Sequence, residues 1–133
     1  MILKLFIKLF ISLSNIFGLF KDPIEPVKRC CVVYEVQCAD CDKLYVGQTG
    51  NSLDTRLNQH KATCHLFQMK KSALAQHMME EDHNIDWTGA KVIAQETRWR
   101  HRLFEEAFHT QARSNRVINR CDEFLPAVFK ALF

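Results

Sequence analysis

Two short runs of β-branched and aromatic residues stand on either side of a polar, cysteine-bearing segment between residues 31 and 47. The first run is Val32-Val33-Tyr34 with Val36, and the second is Leu44-Tyr45-Val46. Runs of this composition are typical of strands, and a short polar connection between them is typical of a turn. The pattern therefore predicts a β-hairpin whose two tyrosines lie in opposing strands, so that their hydroxyl groups can converge on one face.

Helical spacing of apolar positions predicts three helices after the hairpin. They are expected to begin near Ser52, to run from about Ser72 to Glu80, and to run from about Arg98 to Gln111. The remaining predictions are a turn at residues 48–51, a loop at 84–89, a third strand at 91–96 and a short extended piece at 116–119. Together they indicate a small α/β (α+β) fold, in which three helices flank a three-stranded, mainly antiparallel sheet.

The first 20 residues are strongly apolar, and their polar positions recur at helical spacing as one narrow stripe. The longest uncharged run, Leu9 to Phe20, is short for a membrane span, and no small-residue cleavage site of a signal peptide follows it. Four interpretations stay open: a membrane-surface helix, an uncleaved signal-like segment, a helix packed on a missing partner, and a segment outside the natural fold.

Two prolines, Pro23 and Pro26, end this apolar helix. We therefore divide the chain into an apolar N-terminal helix at residues 1–22, a linker at 23–29 and one domain at 30–133. At 133 residues the chain is long enough for a single domain with a buried core. Contact of residues 1–20 with a membrane is an open expectation.

The net charge of +3 is too small to indicate a polyanion as partner, but the distribution of charge is more informative. Arg98-Trp99-Arg100-His101-Arg102 is a dense basic cluster with an aromatic residue inside it. Such a cluster suits a phosphate backbone. The alternative is a solvated helix face with a packed tryptophan.

The chain has six cysteines, which in a secreted protein would suggest a disulfide framework. Two of them, however, have the C-x-x-C spacing of metal ligands, and histidines follow at a distance. We therefore expect a reducing, intracellular compartment, either nuclear or cytoplasmic. The other four are expected to be ordinary buried or half-buried thiols: Cys30, Cys31, Cys64 and Cys121.

The spaced pair is Cys38 and Cys41, and the histidines are His77 and His83. Two thiolates from a hairpin turn and two imidazoles near a helix end make a tetrahedral Zn²⁺ site. Such a site would be structural and would connect the hairpin to the second helix. Cys64 or His65 is a competing ligand, and the alternative to zinc is two unlinked thiols with two surface histidines.

Several motifs follow one another in a definite order: Val32-Val33-Tyr34, then Tyr45-Val46-Gly47, then an arginine and later a glutamate on helices, and a late Asn119. This order resembles that of the GIY-YIG endonucleases. The cysteine pair between the two signatures, with histidines downstream, is most similar to the endonuclease domain of Penelope-like retroelements. The resemblance covers residues 31–121. Val32 departs from the family, which has glycine there, and this matters if the backbone needs a positive φ.

The resemblance implies a metal-dependent DNA endonuclease that nicks phosphodiester bonds. It implies that Glu106 binds Mg²⁺, with Glu105 as the alternative, and that Arg56 holds the scissile phosphate. It also implies that Tyr34 activates or orients the attacking water and that Tyr45 completes the hydrogen bonding at the same phosphate. His60 would shuttle a proton or position Tyr34, and Asn119 would orient the site through hydrogen bonds of its amide. The implied catalytic set is Tyr34, Tyr45, Arg56, His60, Glu106 and Asn119. Each member has an ordinary structural alternative as a packing, surface or turn residue.

DNA is the implied partner, and a reverse transcriptase of the same element is a further one. The candidate DNA-binding residues are Lys70, Lys71, Arg98, Arg100 and Arg102. The rival hypothesis is a catalytically inactive, zinc-stabilised DNA-binding remnant of such a domain.

Overall fold

The computed structural model describes residues 2–8 and 24–120. Residues 2–8 form helix α1, and a short 3-10 helix at Pro26–Lys28 precedes the domain. The other elements are β1 (Cys30–Cys38), β2 (Leu44–Ser52), α2 (Leu53–His65), α3 (Ala73–Glu81), β3 (Ile85–Gln95) and α4 (Trp99–Ala112). The three strands form one antiparallel sheet in the order β2-β1-β3. This architecture confirms the predicted fold class.

The central strand β1 is covered on both faces. Val32, Tyr34 and Val36 join α2 and α3 in the larger core cluster, while Val33 lies in a smaller cluster on the opposite face. A strand that is buried on both faces is apolar nearly throughout and loses the alternation of a half-exposed strand. This is why the run Val32-Val33-Tyr34 has no polar position within it.

Helix α4 contacts the face of the sheet opposite to α2. Its Arg102 Nε donates to Gln48 Oε1 at 2.8 Å, and Nε of Arg113, just beyond its last residue, lies 3.1 Å from Glu35 Oε2. Glu35 alternates with the inward-facing Tyr34 along β1, so the two helices lie on different sides of the sheet.

Both predicted interruptions of the sheet are wrong. Residues 48–51 continue β2, where Gln48 and Thr49 pair with Val33 and Val32. Residues 85–89 belong to β3, and Asp86 pairs with Gln37. The polar and glycine-rich composition of these segments favours turns. Pairing with the central strand supplies the backbone hydrogen bonds that override this preference.

The predicted extended piece at 116–119 closes the free edge of β2. Leu44 N donates to Arg116 O at 2.9 Å, and Ile118 N donates to Leu44 O at 2.8 Å. One step along the edge, the side chain of Asn119 takes the place of a backbone: its Oδ1 accepts from Val46 N at 2.9 Å and its Nδ2 donates to Val46 O at 2.6 Å. An edge that is covered in this way does not offer unpaired backbone groups to another chain.

The ends of the chain are described only in part. Residues 2–8 of the predicted N-terminal helix are helical, whereas residues 9–23 and 121–133, which include Cys121, lie outside the described residues. Within the described ranges, none of the helices combines the length and apolar character needed to cross a bilayer.

Candidate active site and metal centre

A cleft of about 300 Å³ lies beside the covered edge of β2, between α2 and α4. Five of the six predicted catalytic residues line it: Tyr45 from β2, Arg56 and His60 from α2, Glu106 from α4, and Asn119. Arg56 and His60 are four residues apart on α2, so they share one face of the helix. The structure therefore brings together residues that are widely separated in the sequence.

The sixth residue, Tyr34, lies behind the cleft. Its side chain is 0% exposed and does not line the cleft with the other five. Its hydroxyl is 2.7 Å from His60 Nε2. The rings of Tyr34 and Tyr45 both contact the His60 ring, with centroid distances of 6.2 and 5.3 Å. Tyr34 is thus placed to hold His60, which in turn packs against the half-buried ring of Tyr45.

Gly47 makes this aromatic arrangement possible. It pairs with Tyr34 across the hairpin. A Cβ at this position would lie 2.5 Å from Tyr34 Oη and 2.9 Å from Tyr45 Cε1, both far inside van der Waals contact. Only a residue without a side chain lets the rings of Tyr34 and Tyr45 both lie over β2 at this point. Steric exclusion therefore explains why the second signature ends in glycine.

Burial and the nearby guanidinium set the protonation states of the rings. Burial raises the pKa of Tyr34 and of Tyr45 above the ordinary phenol value, and the positive charge of Arg56 opposes the rise in both. Burial, reinforced by Arg56, lowers the pKa of His60 to about 4. His60 is therefore a neutral imidazole near pH 7, so its Nε2 can accept the hydrogen bond of the Tyr34 hydroxyl.

The two adjacent glutamates of α4 have different surroundings. Glu106 lines the cleft, and burial raises the pKa of its carboxyl to about 7 against the opposing charges of Arg56 and Arg102. Its Oε2 is buried and has no hydrogen-bond partner among the described residues. Glu105 Oε2 likewise has no hydrogen-bond partner among the described residues, but it lies 3.6 Å from His109 Nε2, and Glu105 does not line the cleft. Glu106 is therefore the carboxylate that faces the cleft.

Arg56 has the same kind of unmet bonding capacity. Its Nη1 donates to Gln59 Oε1 at 3.0 Å, but its buried Nε finds no partner in the described part of the chain. Buried polar groups are normally paired, so unpaired ones on two sides of one cleft indicate a ligand. A hard divalent cation fits the carboxylate of Glu106, and a phosphate fits the guanidinium of Arg56.

Val32, which replaces the first glycine of the family signature, has no steric conflict with its position. The described residues other than glycine with a positive φ are Cys31, Phe67 and Asp82. Cys31, at 57°, lies in the irregularity between Cys30 and Val32 where the register with β2 shifts. The left-handed conformation thus falls at Cys31, one residue before the position of the signature glycine. Val32 itself is an ordinary buried strand residue.

Cys38, Cys41, His77 and His83 form one cluster, with ligand atoms all within 4.8 Å of one another. Three sulfur–nitrogen distances are 3.3, 3.6 and 3.6 Å, and His83 Nδ1 lies 3.4 Å from His77 Nε2. A tetrahedral zinc ion with ordinary bond lengths places sulfur and nitrogen ligands about 3.5 Å apart and two nitrogens about 3.3 Å apart. The four side chains are therefore spaced as a zinc ion requires.

Local backbone structure explains how these ligands meet. Asp40 N donates to Cys38 Sγ at 3.5 Å, as in a metal-binding turn, and Asp40 Oδ2 accepts from Asn84 N at 2.7 Å. Asp82 ends α3 in the left-handed conformation, with φ at 53°. The resulting reversal of the chain returns His83 to His77. The competing ligand Cys64 packs instead in the larger core cluster.

A family model described as the GIY-YIG catalytic domain matches residues 30–111. The chain belongs to the GIY-YIG family. This is a family of nucleases, typically metal-dependent, which agrees with the cation- and phosphate-binding character of the cleft. No curated protein and no solved structure shows a significant match to the chain.

The predicted DNA-binding residues of this GIY-YIG domain fall into three groups. Lys71 lines the cleft, and Lys70 is exposed beside it. Arg98 and Arg100 are exposed near the start of α4 and do not line the cleft. Arg102 does not belong to an exposed basic surface: it is 5% exposed, and its Nη1 donates to Glu96 O at 3.0 Å. Its guanidinium fixes the start of α4 to the sheet.

The structure adds cleft residues that the sequence alone did not indicate, namely Gln59, Thr63, Ser72, Thr110 and Arg120. Arg120 donates to the carbonyl oxygens of Met69 and Lys70 at 2.6 and 3.1 Å. Arg120 reaches the cleft because residues 116–119, which precede it, pair with β2. The sequence gives no sign of this pairing, because the two segments are far apart in the chain. Gln59 and Thr63 do carry a sequence signal, because they follow Arg56 and His60 at helical spacing.

Proposed function

We propose that this GIY-YIG chain is a metal-dependent DNA endonuclease that nicks phosphodiester bonds. One observation carries the proposal: a carboxylate and a guanidinium, each with an unpaired buried polar atom, face the same cleft as a phenol and a neutral imidazole. Phosphodiester hydrolysis needs positive charge at the phosphate and a positioned water. The cleft offers groups for both.

Arg56 binds the scissile phosphate through its fork of N–H donors, including the Nε that is otherwise unpaired. Glu106 holds one divalent cation, which we propose is Mg²⁺ because a carboxylate oxygen suits a hard cation. When bound, the cation supplies positive charge for the developing negative charge on the phosphate and acidifies water. In this state Glu106 is ionised, since a cation favours the charged form.

Tyr45 is the phenol that lines the cleft, and it orients the attacking water or a phosphate oxygen by a hydrogen bond. His60 packs on its ring and is held by Tyr34 from behind. Tyr34 is therefore a positioning residue, and its raised pKa keeps it a neutral hydrogen-bond donor. Asn119 positions the edge of β2, and with it Tyr45, through its two bonds to Val46.

We also propose that the cysteine–histidine cluster binds a structural Zn²⁺ and that the chain is of retroelement origin. The position of the cysteines supports a retroelement origin: Cys38 ends β1 and Cys41 lies in the turn before β2, so both stand between the two signature tripeptides, as in the Penelope-like endonucleases that the sequence resembles. A reverse transcriptase of the same element is then the proposed protein partner. An intracellular location and membrane contact of residues 1–20 stay predictions.

The test is nicking of supercoiled plasmid DNA by the zinc-loaded chain in Mg²⁺. Glu106→Gln should lower the rate by at least about a hundredfold, because it removes a cation ligand while keeping the shape. Glu105→Gln is the matched control on the same helix and should keep the rate within a few fold. Equal, background-level nicking by all three proteins, together with retained DNA binding, would support the inactive DNA-binding remnant instead.

A further inference from the structure

Two large apolar side chains protrude from the turn that joins α2 to α3. Leu66 is 62% exposed and Phe67 is 69% exposed. Among the described residues neither joins a core cluster, so these side chains do not stabilise the fold by burial. Adjacent exposed apolar residues of this size on a turn commonly mark a binding surface.

The backbone conformation at position 67 is one that phenylalanine rarely adopts. Phe67 has a φ of 54°, its N donates to Cys64 O at 3.1 Å, and Gln68 N donates to Thr63 O at 3.1 Å. This is the left-handed residue that ends a helix, a position where glycine is normally found. A bulky residue there is strained and gains no packing in exchange. Strain of this kind is concentrated at functional positions.

The turn borders the proposed catalytic cleft and is held firmly to it. Thr63, before the turn, and Lys71, after it, both line the cleft. Arg120 binds the carbonyl oxygens of Met69 and Lys70, and its Nη2 also donates to Gln76 Oε1 at 2.7 Å on α3. The apolar pair is therefore presented on a braced turn that also carries Lys71, which lines the cleft, and the exposed Lys70, as a partner that is both anionic and apolar would require.

We propose that Leu66 and Phe67 form a wedge that inserts between base pairs of duplex DNA beside the scissile phosphate. Proteins that kink DNA insert side chains of these types at a base step, with flanking basic residues on the phosphates. Lys70 and Lys71 supply that flanking charge here. This inference rests on the proposed function, because it assigns the DNA contact next to the same cleft.

The test measures DNA binding and base unstacking without cleavage. The zinc-loaded chain is titrated, with Ca²⁺ in place of Mg²⁺, into duplexes that carry 2-aminopurine at successive positions. Wild type and Phe67→Trp should raise the 2-aminopurine emission at one step. Phe67→Gly should abolish this rise and weaken binding roughly five- to a hundredfold, since base stacking on an aromatic side chain contributes that much.

Two controls separate the wedge from a folding defect. Phe67→Gly should have an unchanged or higher Tm, because glycine suits the left-handed conformation. Met79→Ala, which removes another exposed apolar side chain, should bind DNA as wild type does. Wild-type affinity and emission in Phe67→Gly would overturn the wedge. The wedge would also be overturned if Phe67→Gly bound DNA normally but lost a self-association, or a binding to anionic lipid vesicles, that the wild-type chain shows.

The two proposals fail in different ways. A chain that unstacks bases through Phe67 but does not nick in Mg²⁺ would keep the wedge and refute the nuclease. A chain that nicks normally, with Phe67→Gly unchanged in emission, would refute the wedge alone. Absence of DNA binding by the wild-type chain would refute both.

Discussion

At the scale of single residues, the sequence indicated which side chains meet but not what allows them to meet. Convergence of Tyr34 and Tyr45 on one face followed from strand alternation, and the structure confirms it. The buried state of Tyr34 and of Arg102 did not follow, because both depend on partners distant in sequence: His60 and Gln48. An arginine within a basic cluster carries no local sign that it will be buried.

The steric role of Gly47 gives the first prediction. Gly47→Ala adds a Cβ that collides with both phenols, so it should destabilise the fold by about 1–3 kcal/mol, measured by urea unfolding. Displacement of Tyr45 should also lower nicking on the order of a hundredfold. Gly50→Ala is the control, since its Cβ would meet only Arg102 Nη2 at 3.3 Å. Equal behaviour of the two variants would remove the steric argument.

His60 gives a prediction about pH. Its pKa is lowered to about 4, so the unfolded chain takes up a proton near pH 6.5 while the folded chain does not. The stability that a neutral His60 contributes is therefore complete above pH 6.5 and is lost as the pH falls toward 4.

As the pH falls across this window, we expect wild type to lose stability relative to His60→Gln. The difference between their free energies of unfolding should change by up to about 1.4 kcal/mol per pH unit. Urea unfolding at pH 7.5, 6 and 5 measures it. A difference that does not change with pH would show that His60 titrates normally in the folded chain.

At the scale of elements, hydrophobic periodicity was enough for the hairpin, the helices and the last part of β3. It failed at residues 48–51 and 85–89, where pairing with β1 extends the strands through polar residues. Local composition cannot report such pairing, because the hydrogen-bond partners lie on another strand. The extended piece at 116–119 was predicted, but its use as a cover for β2 required the structure.

The side chain of Asn119 is the last contact of that cover and can be tested alone. Asn119→Asp keeps the shape but replaces the N–H donor to Val46 O with an acceptor, so two oxygens face each other. We expect a loss of about 1–3 kcal/mol in the free energy of unfolding. We also expect faster hydrogen exchange of nearby β2 amides. The control is Asn115→Asp, a change at an exposed asparagine. If the two variants have equal, small effects on the free energy of unfolding, the side chain of Asn119 does not stabilise the edge of β2.

At the scale of the whole molecule, α3 connects the catalytic cleft to the cysteine–histidine cluster, the two proposed metal sites. Ser72 and Ala73, at its N-terminus, line the cleft, and His77 faces the cysteines one turn further on. Ser72 also caps the helix by accepting from Ala75 N at 3.3 Å. The whole helix has nine residues, a length of about 13 Å, so the proposed zinc ion holds one wall of the cleft at short range.

Zinc should therefore support nicking although it lies outside the cleft. Removal of zinc, or Cys41→Ser, should lower stability by about 4 kcal/mol, which corresponds to roughly 10–20 °C in Tm. Nicking in saturating Mg²⁺ should fall with it, because α3 no longer fixes Ser72 and Lys71, and should return when zinc is restored to the wild-type chain. Cys30→Ser, at an exposed thiol outside the cluster, should leave zinc content, Tm and nicking unchanged. If the zinc-free chain keeps its Tm, the cluster does not bind a structural ion. If Tm falls but the remaining folded protein nicks at the full rate, α3 does not couple the two centres.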